Sequence, residues 1–285
     1  MEKIKLAGMV TLYNPTDEDI KNIDSYLNDI DVLYVIDNTE GKDNKDRLPK
    51  SKKIEYIFKN ENIGVASALN IAAKKALDDG YKYLLTMDQD TNIRKGVIKG
   101  LIKDIETHDM TKIGIVTPWH ETKLLDKKPK EKYDDPHDVM TSGNILNLDI
   151  WKKIGGFKDF FFIDGIDIEY CMNLHKNGYT ILRDNDLIID HNLGDLFYKN
   201  VFGRLYLCTN HSAMRRYYIM RNYHYIFDMY KDYSPEYCWS LISQRHNIVG
   251  VILFEKKDKF KKIRNYIRGY RDYKKGVKGK CPYKL

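Results

Sequence analysis

No apolar run in this chain approaches the roughly 20 residues that a membrane-spanning helix needs; the longest nearly unbroken one is Ile248 to Phe254. The opening Met1-Glu2-Lys3-Ile4-Lys5 leads into no signal-peptide core, so a cytosolic start and residence are expected. Cysteine is scarce as well. Cys171, Cys208, Cys238 and Cys281 lie far apart with no C-x-x-C pair, which excludes a disulfide framework and a zinc site and leaves reduced thiols. Internal repeats and low-complexity segments are missing. At 42% hydrophobic and 31% charged residues, with a mean hydropathy of −0.56, the chain is neither disordered nor collagen-like. Its 285 residues suit one large domain, or a domain with an appendage.

Basic residues outnumber acidic ones heavily in the tail. From Glu255 to Leu285 there are 13 basic and 3 acidic residues, a surplus of ten; with the whole chain at +7, everything before it nets −3. The basic character therefore belongs to a tail. Tyrosine, by contrast, is plentiful, with 22 residues, many in the last third. Aromatic rings among Lys and Arg suit nucleic acid, membrane interface and sugar surfaces alike.

The first half alternates short β-like runs with helical periods, the pattern of an α/β domain with a largely parallel sheet. Strands are expected at Lys5 to Leu12, Val32 to Ile36, Ile54 to Phe58 and Tyr83 to Met87. Thr16 and Asp19 form a capping-box pattern that opens an amphipathic helix to about Leu27. After Asn62-Ile63-Gly64, apolar residues from Val65 to Leu77 recur at spacings of 3 and 4, which predicts a helix. A helix over Lys95 to Glu106 and a strand over Ile113 to Thr117 follow. Trp119 to Asp138, polar and charged, reads as a long loop over the site. Met140 to Leu148 reads as extended, Ile166 to Lys176 as helical, and Tyr179 to Leu182 and Leu187 to Ile189 as two short strands. From His211 onward the pattern is helical, near 212–230, 236–254 and 259–275.

Asp88-Gln89-Asp90 closes the fourth expected strand. Two carboxylates one residue apart at a strand's carboxyl end can share a divalent cation with a diphosphate, because hard oxygen ligands suit Mg²⁺ or Mn²⁺. Ligands of α/β sheets gather at that end of the strands. A solvated turn is the competing reading of the same residues.

The order Tyr13-Asn14, Asp37-Asn38, Asn62 to Asn70, Asp88-Gln89-Asp90, Ser142-Gly143-Asn144, Asp164 to Cys171 and His191 to Asp195 resembles glycosyltransferase family 2, and within it the rhamnosyltransferase branch, over about residues 5 to 225. The resemblance implies a GT-A fold, a Rossmann-like nucleotide-diphospho-sugar transferase architecture, with a helical C-terminal extension. The catalytic domain would then cover 1–210, and the helical extension with its basic amphipathic tail 211–285. It also implies a nucleotide-diphosphate sugar donor, a divalent metal and inversion at the anomeric centre.

Carried onto this sequence, the resemblance puts Tyr13, Asn14 and Asp37 at the nucleotide, Asn62 and Gly64 beside nucleotide and sugar, and Asp88 at the ribose. Asp90 and His191 become metal ligands, Ser142 and Gly143 line the sugar or acceptor pocket, and Arg215 approaches the diphosphate with its planar fork. A helix cap is the alternative for Asn62 to Gly64, and a solvated helix face for Arg215.

Inversion requires a carboxylate opposite the leaving diphosphate to take the acceptor's proton. Asp167, in the first turn of an expected helix whose dipole favours the ionised form, is the candidate base, with Asp164 and Glu169 as competitors. In the tail, Phe260, Ile263, Ile267 and Tyr270 recur at helical spacing among Lys and Arg, which suits an interfacial helix on anionic lipid; a helix packed on the protein is the alternative. The leading expectation is a metal-dependent inverting rhamnosyltransferase using dTDP-rhamnose and a glycan acceptor, lipid-linked, in surface polysaccharide synthesis, peripheral on the inner face of the cell membrane. A homodimer stays open. The rivals are the same fold with UDP-galactofuranose, UDP-glucose or UDP-galactose, and, in another class, a nucleic-acid-binding protein using the basic tail. Net acidity before the tail speaks against the last.

Overall fold

A computed structural model describes residues 3–121, 128–190, 197–201, 203–243 and 248–283. The described residues of Met1–Asp159 and Tyr170–Asn192 form one compact unit, and those of Phe160–Glu169 and Leu193–Leu285 a second. The units interleave along the chain, since the second takes the 160–169 segment from between two parts of the first.

The first unit is built on β1 (Leu6–Leu12), β2 (Val32–Asp37), β3 (Ile54–Phe58), β4 (Tyr83–Asp88), β5 (Ile113–Glu121), β6 (Tyr133–Asp134), β7 (Asn144–Asn147) and β8 (Thr180–Asp190). They form one sheet in the order β3-β2-β1-β4-β7-β5-β8-β6. β1, β2, β3 and β4 pair in parallel, as do β5 and β8, while β7 runs antiparallel to both β4 and β5. The run Val-Leu-Tyr-Val-Ile-Asp of β2 is buried at every position, as an interior strand of a sheet covered on both faces must be.

Helix α2 (Val65–Asp78) lies against β1, β2 and β4, turning Ala66, Ala68, Leu69, Ala72, Ala73 and Ala76 inward. Its short alanine side chains let helix and strands approach closely. Helix α3 (Val97–Thr107) covers β5 and β8, and the short helix α4 (Leu148–Ile154) lies against β5 and β7.

Several elements differ from expectation for identifiable reasons. The capping box at Thr16 and Asp19 forms, but the helix it opens, α1 (Asp17–Asn22), stops after six residues and continues as 3-10 turns. There Ser25 Oγ donates to the carbonyl of Asn22 at 2.6 Å and accepts from Ile93 N at 3.1 Å, offering the backbone an alternative to the α ladder. The two short strands expected at 179–182 and 187–189 are one, β8, with a register shift against β5 between Pro118 and Trp119. Proline brings no N–H, and the bulge is where a strand tolerates it.

Part of the expected loop at 119–138 is strand. Trp119 to Glu121 end β5, and β6 pairs with β8. Here the charges have partners: Arg183 grips Asp134 through Nε at 2.9 Å and Nη2 at 2.5 Å, and Tyr133 donates to Asp104 at 2.9 Å. Residues 122–127 of that loop lie outside the described residues.

The second unit holds a hairpin, β9 (Phe197–Val201) with β10 (Arg204–Cys208), and helices α6 (Ala213–Tyr230), α7 (Pro235–Ser243), α8 (Ile248–Phe254) and α9 (Lys259–Lys274). Helix α5 (Ile166–Lys176) begins within its 160–169 segment. The single helix expected over 236–254 is described as α7 and α8.

Helix α9 packs on α6 through polar residues. Lys262 donates to buried Glu255 at 2.8 Å, and Arg216 pairs with the same carboxylate. Asp272 accepts from Tyr217 at 2.7 Å and from Tyr283 at 3.0 Å. Gly269 is required by contact, since a Cβ there would stand 2.4 Å from the Tyr217 carbonyl oxygen. No described helix is long and apolar enough to cross a membrane.

Candidate functional site

Strand register gathers the first group. Leu12 of β1 pairs with Asp37 of β2, and Thr11 pairs with Asp88 of β4, so three neighbouring parallel strands end level. β7 starts at that same edge, because Asn144 sits opposite Thr86 in the antiparallel pair. Tyr13, Asn14, Asp37, Asp88, Ser142 and Gly143 all follow from this alignment of strand ends.

Asp37 is fully buried. Its carboxylate accepts from Tyr56 Oη at 2.6 Å, Asn44 Nδ2 at 2.9 Å and Thr39 N at 2.9 Å. Burial works to raise its pKa, but the hydrogen bonds from Tyr56, Asn44 and Thr39 win and hold it below the ordinary carboxylate range. Thr39 Oγ1 passes the network on by accepting from Asn14 N at 2.9 Å, and Asn14 itself is left-handed at φ 46°. Asp37 is thus a fixed hub beneath the strand ends.

Tyr13 stands at the surface, 42% exposed. Its backbone is held by Gln89, which accepts from Tyr13 N at 2.8 Å and donates to Tyr13 O at 3.3 Å. Gln89's own carbonyl accepts from Asn22 at 3.0 Å. This middle residue of the Asp-Gln-Asp turn was passed over in the sequence; its type offers no signal, and only its place between two candidate ligands could have drawn notice.

Asp88 is half-buried and Asp90 exposed. Asp88 N donates to Ser142 Oγ at 3.0 Å, and Gly143 N to the Thr86 carbonyl at 2.7 Å, so the Ser142-Gly143 turn is laced to the end of β4. Gly143 has φ +82°, and a Cβ there would stand 2.4 Å from Ile189 Cδ1. Behind the turn, buried His120 lies 2.6 Å from the Ser142 carbonyl through Nε2, another residue the sequence reading missed.

Asn62 Oδ1 accepts from Gly64 N at 3.0 Å, and Gly64, with φ 84°, caps the start of α2. Asn38 donates to the Gly64 carbonyl at 3.2 Å. Asn62 thereby closes the turn that leads into α2.

His191, with the following residues to Asp195, lies outside the described residues. Among the described residues no group of three or more His, Cys, Asp or Glu side chains converges as a metal cage. Two carboxylates at a strand end nevertheless fit Mg²⁺ or Mn²⁺, which take one or two protein carboxylates and fill the remaining positions with phosphate oxygens and water.

The second group belongs to the second unit. Residues 160–165 enter α5 through three left-handed residues, Phe162 at φ 68°, Asp164 at 64° and Gly165 at 79°. Two buried side chains of α6 hold them. Asn222 Nδ2 donates to the carbonyls of Phe161 at 2.9 Å, Ile163 at 2.7 Å and Asp164 at 2.8 Å. Arg221 donates to Phe160 O and Phe161 O, each at 3.2 Å, and to Gly279 O at 2.7 Å. Neither role was read in the sequence, although both residues lie within the span of about 5 to 225 that the resemblance covers.

The three candidate bases separate by environment. Asp164 has a side chain only 4% exposed, and Arg215 is bound to it, with Nε at 2.9 Å from Oδ1. Arg215, expected at a diphosphate, is therefore placed on Asp164. Glu169 is fully buried and accepts from Tyr230 Oη at 2.6 Å; burial and this carboxylate push the Tyr230 pKa up. Asp167 is half-buried in the first turn of α5, with Oδ1 accepting from Ile168 N at 2.9 Å. Of the three, it combines partial exposure with the helix N-terminus.

Comparison with known proteins bears on these two groups. The family model described as Glycosyl transferase family 2 matches residues 16–170, more than half of the chain. A dTDP-rhamnosyl transferase, RfbF of Shigella flexneri, is 24% identical over an alignment covering 96% of this chain and 97% of that protein. Among solved structures, GalNAc-T7 with UDP, GalNAc and Mn²⁺ superposes with a TM-score of 0.60 at 11% identity, covering 97% of this chain, which spans 57% of that one. S. aureus TarS in complex with UDP-GlcNAc gives a TM-score of 0.55 at 14% identity, covering 96% and 92%. The α/β architecture with its parallel-dominated sheet is the GT-A fold that the sequence led us to expect, and the helical C-terminal region is present.

Proposed function

Since this chain belongs to glycosyltransferase family 2, we propose that it is an inverting rhamnosyltransferase that moves rhamnose from dTDP-rhamnose to a hydroxyl of a lipid-linked surface glycan. The observation that carries the reading is the level ending of β1, β2 and β4, which collects Tyr13, the Asp37 hub and Asp88 at one sheet edge beside the Ser142-Gly143 turn. The full-length similarity to a dTDP-rhamnosyl transferase supports the choice of donor.

In this reading, Tyr13 and Asn14 offer ring and backbone to the nucleotide, and Asp37 keeps that loop in place through Thr39. Gly64 gives the donor close access to the backbone at the start of α2, with Asn62 holding the turn. Asp90 and His191 would hold Mg²⁺ or Mn²⁺, with Asp88 at the ribose beside them, and the bound ion would neutralise charge on the departing diphosphate. Gly143 and Ser142 line the sugar. Asp167 takes the proton of the acceptor hydroxyl as its oxygen forms a bond to C1, while the C1–O bond to the diphosphate breaks and dTDP leaves with the electron pair. Arg215 serves by fixing Asp164. Residues 1–210 then act as the catalytic domain and 211–285 as its helical extension.

The runner-up reading is a UDP-sugar donor, UDP-galactofuranose, UDP-glucose or UDP-galactose; it is favoured by the UDP and UDP-GlcNAc held in the structural neighbours. Incubating the protein with Mg²⁺ or Mn²⁺ and a panel of nucleotide sugars separates the two. Release of dTDP from dTDP-rhamnose is the expected result. Release of UDP alone would transfer the proposal to the runner-up, and absence of release from every donor, with acceptor present, would overturn both.

A further inference from the structure

Helix α9 buries polar residues against the protein and leaves apolar residues among cations on its outer side, whereas an ordinary surface helix turns its apolar residues inward. Lys262, Asn265, Gly269 and Asp272, at spacings of 3, 4 and 3, are the buried positions. On the opposite side Phe260, Arg264, Ile267, Arg271 and Lys274 recur at spacings of 4, 3, 4 and 3, a stripe alternating ring, cation, branched alkyl and two cations over about 21 Å of helix. Phe260 is 90% exposed and Ile267 47%, while Arg264, Arg271 and Lys274 are exposed. A helix paired through buried polar groups gains nothing from outward Phe and Ile in water.

Charge placement selects what they face. Of the tail's three acidic residues, Glu255 and Asp272 are buried and occupied by Arg216, Lys262, Tyr217 and Tyr283, so that Asp258 alone remains exposed among them. The outward surface is therefore cationic with apolar side chains set between the charges. Nucleic acid would match the cations and leave Phe260 and Ile267 without a role; an anionic bilayer matches both, with headgroups for Arg and Lys and the acyl boundary for Phe and Ile.

We infer that the outer stripe of α9 docks the protein on an anionic lipid surface, lying in the plane of the interface while the inner face stays bound to α6. The inference names a partner of the transferase proposed above but does not depend on its chemistry, so vesicle binding and nucleotide release can fail separately. Because the inner face of α9 belongs to the fold, the test uses point substitutions in the full chain: Phe260→Ser with Ile267→Ser, and separately Arg264→Gln with Arg271→Gln and Lys274→Gln.

Sedimentation with vesicles of phosphatidylcholine alone, and of phosphatidylcholine mixed with phosphatidylglycerol, is run at two salt concentrations beside DNA and RNA titrations. The parent is expected to bind the anionic vesicles only, and less at high salt. Removing three cations should weaken binding on the order of 100-fold, since each is worth about a factor of five, and the apolar pair should weaken it roughly 10-fold or more. Unfolding midpoints and dTDP release to a soluble acceptor should stay at parental values in both variants. Parental vesicle binding by either variant, no vesicle binding by the parent, or tight nucleic-acid binding in its place would overturn the inference.

Discussion

Replacing Asn222 by alanine removes one buried amide that serves three backbone carbonyls at once. Its two N–H groups are shared among Phe161 O, Ile163 O and Asp164 O, and its Oδ1 accepts from Arg221 Nε at 3.0 Å. Two full hydrogen bonds are worth about 1 kcal/mol each, and a buried acceptor stranded without a donor costs about 1–3 kcal/mol. The loss should therefore reach about 3–5 kcal/mol, a large part of the roughly 5–15 kcal/mol that holds a domain together. Asn222→Ser, which keeps one donor, should lose about half as much.

The damage falls on a segment with three left-handed residues that leads into Asp167. We therefore expect kcat to drop while the donor KM stays near the parental value, because the residues proposed to bind the donor lie at the strand ends of the first unit. Urea unfolding followed by far-ultraviolet circular dichroism, with initial-rate kinetics of nucleotide release, measures both. Stability of Asn222→Ala within about 0.5 kcal/mol of the parent, or a raised donor KM with unchanged kcat, would refute the reasoning.

Asp167→Asn keeps the shape of the side chain but cannot take a proton, so kcat should fall by roughly 10²–10⁴ with donor affinity unchanged by calorimetry; loss of donor binding instead would make it a binding residue. Asp90→Ala, at an exposed turn, should abolish metal-dependent turnover while leaving the unfolding midpoint in place, and full parental activity in excess chelator would disprove the metal role. Tyr56→Phe removes a donor to Asp37, whose folded pKa is depressed below its unfolded value. That depression stabilises the fold above the unfolded pKa near ~4 and is lost as pH falls through the folded value. The variant should be less stable than the parent by about 1.5–3 kcal/mol at neutral pH, with the gap narrowing in acid; a gap independent of pH would count against the Asp37 network.

The parallel half of the sheet was readable because its determinants are local. Val32 to Ile36 is an unbroken apolar run, Tyr83 to Met87 is interrupted only by Thr86, and the 3 and 4 spacing after Gly64 has no reading other than α2. Elements that depend on distant partners were not readable. β8 is continuous because β5 accommodates its bulge at Pro118, and the β9-β10 hairpin, signalled only by Asn200 and Gly203 at its turn, escaped notice. The site divides in the same way. Asp37 and Asp88 stand at strand ends that periodicity locates, whereas the Tyr56 and Asn44 donors to Asp37, and the Asn222 clasp on residues 161–164, arise from contacts across 7 to 61 positions of chain. Arg215 was carried to a diphosphate by the resemblance, and its pairing with Asp164 is a contact 51 positions away that no local pattern signals.

The double grip of Gln89 on the Tyr13 backbone makes a rung between two loops that are 76 positions apart in the chain. Exchange of either loop for that of a related enzyme would import a backbone without its matching amide, so a graft has to carry both loops, or at least Tyr13 with Gln89, as one module. Glutamate at position 89 would set a carboxylate oxygen against the Tyr13 carbonyl where an N–H now points. Refashioning the specificity of this chain is accordingly a matter of changing side chains on a fixed frame, since the frame can be inherited only whole.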